Sequence, residues 1–186
     1  DIARLNGVVQ VSASSDNPGK DVTGSVSVST APGLQKFGMD YYFTDRNFIP
    51  NMQLKLVAGG NFPEGTTTGR YVILNELAVS QLKLSSPAEA VGKAIYLDTV
   101  PVRVAGVISN FYHRGVDIWL RPLILRYEPR ELRFVQVRTA AGKEEAMTAQ
   151  LEAIWKKYNP GESFSYSVWR DDQLKGQSAI GTVSML

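Results

Sequence analysis

Apolar and polar residues alternate in several short stretches along the chain, and each stretch predicts a half-buried strand. The first places Val9, Val11 and Ala13 on one face and Gln10, Ser12 and Ser14 on the other. Similar alternation recurs at residues 24–30 and around Phe164, Tyr166 and Val168, and two further strands are predicted, an aromatic one at residues 39–43 and another at 132–138. Loop segments rich in turn-forming residues such as Gly, Pro, Asn and Asp separate several of these stretches. The pattern therefore predicts a protein that is rich in short strands.

The densest series of start and stop signals lies within residues 70–115. Tyr71–Leu74 predicts a strand, and Asn75 is placed to cap the short helix that follows, because its side-chain oxygen can accept from free N–H groups. This helix is expected to end by residue 85. A second helical turn should begin at Ser86, with Pro87 at its first position and Gly92 able to end it in the left-handed conformation.

Two further strands are predicted after this turn. They comprise Ala94–Leu97 and Val100–Ile108, joined by a tight turn at Asp98-Thr99. Gly106 lies inside the second strand, which indicates a bulge or the close approach of another backbone.

One amphipathic helix is predicted after residue 142. Met147, Leu151, Ile154 and Tyr158 recur at helical spacing and share one face. With a strand before it and a strand after it, this helix forms a predicted strand–helix–strand unit.

These elements predict an α+β fold with two lobes. Strands of similar character precede and follow the central stretch, so the simplest arrangement builds a βαβ-rich lobe from both chain ends. Its predicted boundaries are residues 1–58 and 130–173. Residues 59–129 would then form an inserted mixed α/β lobe, and residues 174–186 a C-terminal tail.

Composition narrows the class of protein. Of the 186 residues, 44% are hydrophobic and 20% are charged, which predicts a globular fold. A net charge of +2 provides no basic field for nucleic acid. The absence of cysteine excludes disulfides and thiolate metal sites. No apolar run approaches the ~20 residues that a membrane helix needs.

Residue types that support catalysis are sparse. His113 is the one histidine, and no Gly-x-Ser-x-Gly motif could present a nucleophile to it. We expect His113 to be either exposed in a loop or hydrogen-bonded in a structural role. A zinc site would have only carboxylates to complete it. The Gly92-Lys93 pair is not a phosphate-binding loop, because Pro87 occupies the place of the leading glycine. No cofactor is therefore predicted.

Carboxylates leave a hydrolase as one alternative. Four of them belong to or flank the central stretch: Glu76, Glu89, Asp98 and Asp117. Two carboxylates that met in space could act as an acid–base pair, although each has a structural role in the predicted elements. Asp16 and Asp21 share a loop but lack the ligand spacing of an EF-hand calcium site.

Aromatic residues cluster in the first half of the chain, at Tyr41, Tyr42, Phe43 and Phe48. They could form a stacking platform for nucleotides or sugars. No cluster of basic residues is interleaved with them, which favours core and edge packing instead.

Several segments carry a resemblance to a known family. Asn-Glu-Leu-Ala begins at Asn75, Gly92-Lys93 precedes a strand, and Val-Ala-Gly-Val-Ile-Ser-Asn-Phe-Tyr begins at Val104. In order and spacing these segments resemble the periplasmic core domain of MacB/FtsX-type ABC transporter permeases, whose last segment usually has Val-x-Gly-Val-x-x-Asp-Phe-His. Asn110 stands where that family has aspartate, and Tyr112 where it has histidine.

Two earlier segments extend the resemblance to roughly residues 5–170. One is the strand that follows Gly7, and the other is residues 56–62, in which Gly60 replaces the family's arginine. The resemblance implies a structural role for the motif residues Asn75, Glu76, Gly92, Lys93, Gly106, Asn110 and Phe111.

The resemblance also implies a function. It indicates a non-catalytic domain on the periplasmic face of the bacterial inner membrane, which transmits ATP-driven conformational change to a periplasmic substrate or partner. The implied partners are a cytosolic ATPase subunit reached through membrane helices, a second permease copy, and a periplasmic adaptor or substrate protein. The lobe formed by the chain ends would lie near the membrane, with the C-terminal tail leading toward a membrane helix.

Within such a domain, the loops Asn61–Arg70 and His113–Arg121 are the candidates for partner contact. A periplasmic solute-binding module and a carboxylate-dependent hydrolase remain alternative functions.

Overall fold

The computed structural model of the protein describes residues 2–20, 22, 24–66, 69–115, 118–170 and 181–185. The strands are β1 (Val8–Ser14), β2 (Ser25–Ser29), β3 (Phe37–Phe43), β4 (Leu56–Gly59), β5 (Tyr71–Asn75), β6 (Ala94–Leu97), β7 (Val100–Ile108), β8 (Leu123–Arg126), β9 (Phe134–Thr139), β10 (Tyr166–Arg170) and β11 (Gly181–Met185). The helices are α1 (Phe48–Asn51), α2 (Glu76–Gln81), α3 (Pro87–Ala90) and α4 (Glu144–Tyr158), with 3₁₀ turns at Ile2–Arg4 and Pro129–Glu131. The fold is α+β, as predicted.

Seven strands form the larger sheet, in the order β4-β7-β5-β8-β3-β2-β6. Because β6 pairs with β2 on one side and with the first half of β7 on the other, six of these strands close into a barrel. The remaining strand, β4, lies beside the second half of β7. Strand β5 runs parallel to β7, so both strands end at the same edge of the barrel.

The interior of the barrel is apolar. One buried cluster draws side chains from all six strands of the ring, among them Val28, Met39, Leu74 and Val104, and also includes residues of α2 and α3. A second buried cluster lies on the outer face, where Phe48 and neighbouring residues of α1 pack against β3, β5, β7 and β8. Strand β3 therefore has its side chains buried on both faces.

The smaller sheet contains four antiparallel strands in the order β1-β9-β11-β10. Helix α4 packs against it through Met147 and Leu151, which are fully buried with Val137 of β9. The predicted strand–helix–strand unit is thus present as β9, α4 and β10. Strand β11 lies between its two strands.

The sheet pairing differs from the predicted lobe boundaries. Of residues 1–58, only β1 joins the sheet formed by the chain ends, whereas β2, β3 and β4 pair with strands between residues 71 and 126. The alternation of a short strand specifies which face is buried, but it does not specify which sheet the strand joins. The predicted tail also differs, because residues 181–185 form β11; residues 171–180 lie outside the described residues.

Two predicted faces require correction. A bulge between Val8 and Gln10 turns Val9 outward, so that Val8 and Val11 pack toward α4 while Ser12 and Ser14 are buried on the opposite face. In α4, the predicted apolar face ends before Tyr158, whose side chain is 66% exposed. The last turn of α4 contributes little to the core.

Candidate functional site

The first family motif lies where β5 ends and α2 begins. Asn75 is fully buried, and its Oδ1 accepts hydrogen bonds from the backbone N–H of Ala78 and of Leu123, both at 2.9 Å. Its Nδ2 donates to the carbonyl oxygen of Arg121 at 2.8 Å. The predicted helix cap is confirmed, and the same side chain also ties α2 to the strand entering from the loop at 109–122.

Glu76 and Asn110 complete this junction from the ends of β5 and β7. Oδ1 of Asn110 accepts from the N–H of Leu77 at 3.0 Å, and the Asn110 N–H donates to Oε2 of Glu76 at 3.2 Å. This reciprocal pair supplies an acceptor to the first turn of α2, whose N–H groups have no partner within the helix. Phe111, the next residue, is buried in the outer cluster.

The second motif, Gly92-Lys93, forms the turn between α3 and β6. Gly92 has φ +82°, so the predicted left-handed end of the helical turn is confirmed, and the Ser86 hydroxyl accepts from the N–H of Glu89 at 3.2 Å. The Lys93 ammonium lies 3.9 Å from the Glu89 carboxylate.

Gly106 lies at a crossing of two backbones. It pairs with Gly59 of β4, and an added Cβ would fall 3.1 Å from the backbone carbonyl carbon and nitrogen of Gly60 and closer still to the Gly60 oxygen. The β5–β7 ladder also shifts register beside it. Both the predicted bulge and the predicted close approach are present.

A buried charge cluster anchors the second candidate loop. Asp40 on β3 is fully buried, and its Oδ2 lies 3.0 Å from Nε2 of His113. Arg114 donates to both of its carboxylate oxygens, at 2.8 and 3.0 Å, and Nε of Arg121 donates at 3.3 Å. Burial alone raises the pKa of Asp40, but hydrogen bonds with His113 and Arg114, together with the charge of Arg114, hold this pKa below its usual value.

The cluster explains the environment of His113. This residue is buried, so the structural alternative of the sequence analysis is the correct one. Its carbonyl oxygen also accepts from the N–H of Gly19 and from the hydroxyl of Tyr42, each at 2.6 Å. The base of the loop is therefore fixed to β3 and to the loop after β1.

The tip of this loop is apolar and exposed. Ile118, Trp119 and Leu120 all contact solvent, and the Trp119 side chain is 92% exposed. Tryptophan carries a large apolar area and is enriched at protein interfaces. In the other candidate loop, Asn61 donates to the Arg46 carbonyl at 2.7 Å and Phe62 is buried, while residues 67 and 68 lie outside the described residues.

A polar seam of four buried residues, Ser12, Ser14, Asn51 and Gln136, joins the two sheets. Nδ2 of Asn51 donates to Oγ of Ser12 at 2.7 Å and to the Gln136 carbonyl at 3.0 Å. Nε2 of Gln136 donates to Oγ of Ser14 at 2.7 Å, and the Ser12 hydroxyl donates to Oε1 of Gln136 at 3.2 Å. Since Asn51 belongs to α1, which is packed on the barrel, the seam links the barrel directly to β1 and β9.

Among the described residues, the carboxylates considered for an acid–base pair do not form a site. Each has its own local surroundings. Glu76 bonds to Asn110, Glu89 lies beside Lys93, and Asp98 occupies an exposed turn with φ +57°. Asp117 lies outside the described residues, as does Asp21 of the loop considered for calcium. Within the part of the chain that the structure describes, no group of three or more His, Asp or Glu side chains could hold a metal ion.

The aromatic candidates divide between the core and a cation–π contact. Tyr42 and Phe48 are fully buried. Tyr41 and Phe43 meet edge to face at 5.2 Å, and the guanidinium of Arg126 lies within 5.4 Å of both ring centroids. These contacts agree with the predicted core and edge packing.

Sequence reasoning did not identify Asp40, Arg121 or the seam residues Asn51 and Gln136. One signal was present for Asp40, because an aspartate between Met39 and Tyr41 interrupts an otherwise apolar strand. A buried carboxylate requires positively charged or hydrogen-bonding partners. The seam residues gave no such signal, since serine, asparagine and glutamine are ordinary surface residues.

Comparisons with known proteins identify the family. The sequence profile of the MacB-like periplasmic core domain matches residues 2–154. Among solved structures, the chain is similar to the extracellular domain of YknZ, a noncanonic ABC-type transporter from Gram-positive bacteria, with a TM-score of 0.63 and 16% identity over 87% of this chain and 81% of that one. It is also similar to the periplasmic region of MacB from Actinobacillus actinomycetemcomitans, with a TM-score of 0.53 and 16% identity over 82% of this chain and 70% of that one.

The family profile matches most of the chain and therefore identifies the family. The two solved structures are each 16% identical to the chain, so their similarity supports the fold alone. A search of curated proteins gave no significant match. No helix among the described residues combines the length and apolar character that crossing a bilayer requires. The chain belongs to the MacB-like periplasmic core domain family, and it is therefore the extracytoplasmic domain of an ABC transporter permease.

Proposed function

We propose that this domain is a non-catalytic coupling element, which transmits movement of the permease's membrane helices to a protein or substrate outside the cytoplasm. ATP hydrolysis would occur in a cytosolic ATPase subunit, and a second permease copy would complete the transporter. The single observation that carries the proposal, together with the family, is the polar seam between the two sheets. A domain that transmits displacement must not deform internally.

The seam provides resistance to sliding. Two hydrogen bonds cross the contact between α1 and the smaller sheet, both donated by Nδ2 of the buried Asn51, to Ser12 and to the Gln136 carbonyl. Ser12, Ser14 and Gln136 are hydrogen-bonded to one another within the smaller sheet. Sliding one sheet past the other would break the two bonds of Asn51, at a cost of about 1–3 kcal/mol for each buried group left without a partner. An apolar contact of equal area would permit more relative positions of the two sheets, because hydrophobic packing is not directional.

The loop at residues 113–121 is the proposed contact element. Its base is fixed by the Asp40 cluster, and its apolar tip carries Trp119 into solvent. A rigid base with an exposed aromatic side chain matches the anchor residues of protein interfaces. The proposed occupant is a protein, either an adaptor or a protein substrate, in the extracytoplasmic space.

Distance measurements in the intact permease can test the transmission. This domain contains no cysteine, so Thr99→Cys on the barrel and Ala153→Cys on α4 introduce unique labels within it. Both positions are exposed. On ATP binding we expect distances between the domains of the two permease copies to change, while the distance from residue 99 to residue 153 within one domain stays constant. A change within the domain as large as that between domains would refute rigid transmission.

Substitution of a seam residue tests whether the seam couples ATP hydrolysis to transport without affecting hydrolysis itself. Asn51→Ala should reduce transport or partner activation per ATP hydrolysed, because the barrel is then less firmly held to the chain ends. The matched control is Asn159→Ala at the end of α4, where the side chain bonds only to the Trp155 carbonyl at 3.3 Å. Unchanged coupling in a folded Asn51→Ala transporter would contradict the role of the seam.

A further inference from the structure

A shallow cleft lies at the other end of β5 from Asn75. Its volume is about 290 Å³, and its lining residues are Arg70, Tyr71, Ala94, Pro101, Val102 and Arg103. This volume lies close to the lower end of the range for small-molecule sites. None of the family motifs described above supplies a side chain to it.

Two arginines, Arg70 and Arg103, line this cleft. The N–H of Arg103 donates to the carbonyl oxygen of Arg70 at 2.9 Å, so the two arginines are neighbours on adjacent chain segments. Nη1 of Arg103 donates to the Gly92 carbonyl at 2.9 Å, which holds one edge of this guanidinium and leaves its other donors available.

Neither arginine has a charge partner in the described part of the chain. The nearby Lys93 pairs with Glu89, and Arg114 and Arg121 share Asp40, but no carboxylate among the described residues lies within ion-pair distance of Arg70 or Arg103. The like charges of two arginines at one cleft repel each other. A bound anion would remove this repulsion and use the planar donor edge of each guanidinium.

The lining of the cleft restricts the kind of anion. Tyr71, Ala94 and Pro101 present apolar surface beside the arginines. We propose that the cleft binds the carboxylate of a small organic acid whose apolar body rests on Tyr71 and Pro101. This inference goes beyond the transmission function and does not depend on it.

The test uses this protein and 3-phenylpropionate as the probe, with binding followed by amide chemical shifts in NMR titrations. We expect saturable binding, on the order of millimolar, with the largest shifts at residues 70, 71 and 103. The neutral amide of the same acid should bind at least about tenfold more weakly, and raised salt should weaken binding of the acid. Binding of the amide with equal affinity would overturn the proposal.

Substitutions locate the site. Arg70→Gln and Arg103→Gln should each weaken binding about fivefold or more, whereas Arg130→Gln, an exposed arginine on the 3₁₀ turn, should leave it unchanged. Both cleft arginines are exposed, so their substitution is not expected to unfold the protein. Inorganic phosphate should bind more weakly than the organic acid. Absence of saturation, equal binding by phosphate, or unchanged binding by both cleft variants would refute the assignment.

Discussion

Replacing Asn75 by alanine should destabilise the protein far more than replacing the other helix cap, Ser86. Both side chains accept from a backbone N–H three residues later, with distances of 2.9 and 3.2 Å. The Asn75 side chain makes two additional bonds, to the Leu123 N–H and the Arg121 carbonyl, and it is completely buried. The two caps therefore share their local geometry and differ in their tertiary contacts.

The expected magnitudes follow from these contacts. Loss of a helix cap costs about 1 kcal/mol, which is the whole effect expected for Ser86→Ala. In Asn75→Ala, the buried Leu123 N–H also loses its partner, at about 1–3 kcal/mol. The total for Asn75→Ala is then about 2–4 kcal/mol, without counting the bond to the Arg121 carbonyl.

Urea unfolding followed by circular dichroism measures both variants on the same scale. With an m-value near 2 kcal/mol/M, Asn75→Ala should lower the midpoint by about 1–2 M and Ser86→Ala by about 0.5 M or less. An equal loss in the two variants would mean that Asn75 acts only as a local cap. The role assigned to it in joining α2 to β8 would then be wrong.

Two further predictions concern packing and charge. Gly106→Ala should lower the free energy of unfolding by about 1–3 kcal/mol, because the added Cβ would collide with the backbone of Gly60. The control is Gly60→Ala, whose added Cβ meets no atom within 4 Å; it should change stability by less than about 0.5 kcal/mol in the same unfolding assay. Burial raises the pKa of Asp45 to about 6, although nearby backbone N–H groups oppose this. Because this folded pKa lies above the unfolded value near 3.8, the charged carboxylate destabilises the folded state above pH 6, and the penalty is relieved as the pH falls toward 4. Relative to Asp45→Asn, the unmodified protein should therefore gain about 2–3 kcal/mol between pH 7 and pH 4, and a difference that does not vary with pH would contradict this.

The local elements of residues 70–108 were predictable because each has a signal within a few residues. Asn75 and Ser86 begin short helices by accepting from an N–H group three positions away, and Gly92 ends one through its own left-handed backbone. Gly106 was equally recognisable, since a glycine inside a strand often marks a bulge or a close approach of another backbone. The close partner itself, Gly60, could not be read from the sequence.

The assembly of the sheets was less predictable, because it depends on long-range contacts. Strand β3 pairs with β8, which lies more than 80 residues later, and nothing in its own alternation selects that partner over β1. Asp40 likewise meets Arg114 and Arg121 only after the loop at 109–122 folds back over β3. For this reason the sheet pairing divides the chain differently from the predicted division at residue 58, and β1 and β11, from the two ends of the chain, lie in one sheet with β9.

The family motifs mark positions where one segment of backbone crosses another. Asn110 accepts from the N–H of Leu77 through its side-chain oxygen, an interaction that the family's usual aspartate could make equally well. Gly60 stands where the family has arginine, and a side chain there would enter open space. The departures from the pattern thus leave the crossings intact, and the motifs specify the fold through hydrogen bonds and close approaches. Under the proposed function, specificity for a partner would reside in side chains that leave these crossings unchanged, and the exposed tip around Trp119 is such a place.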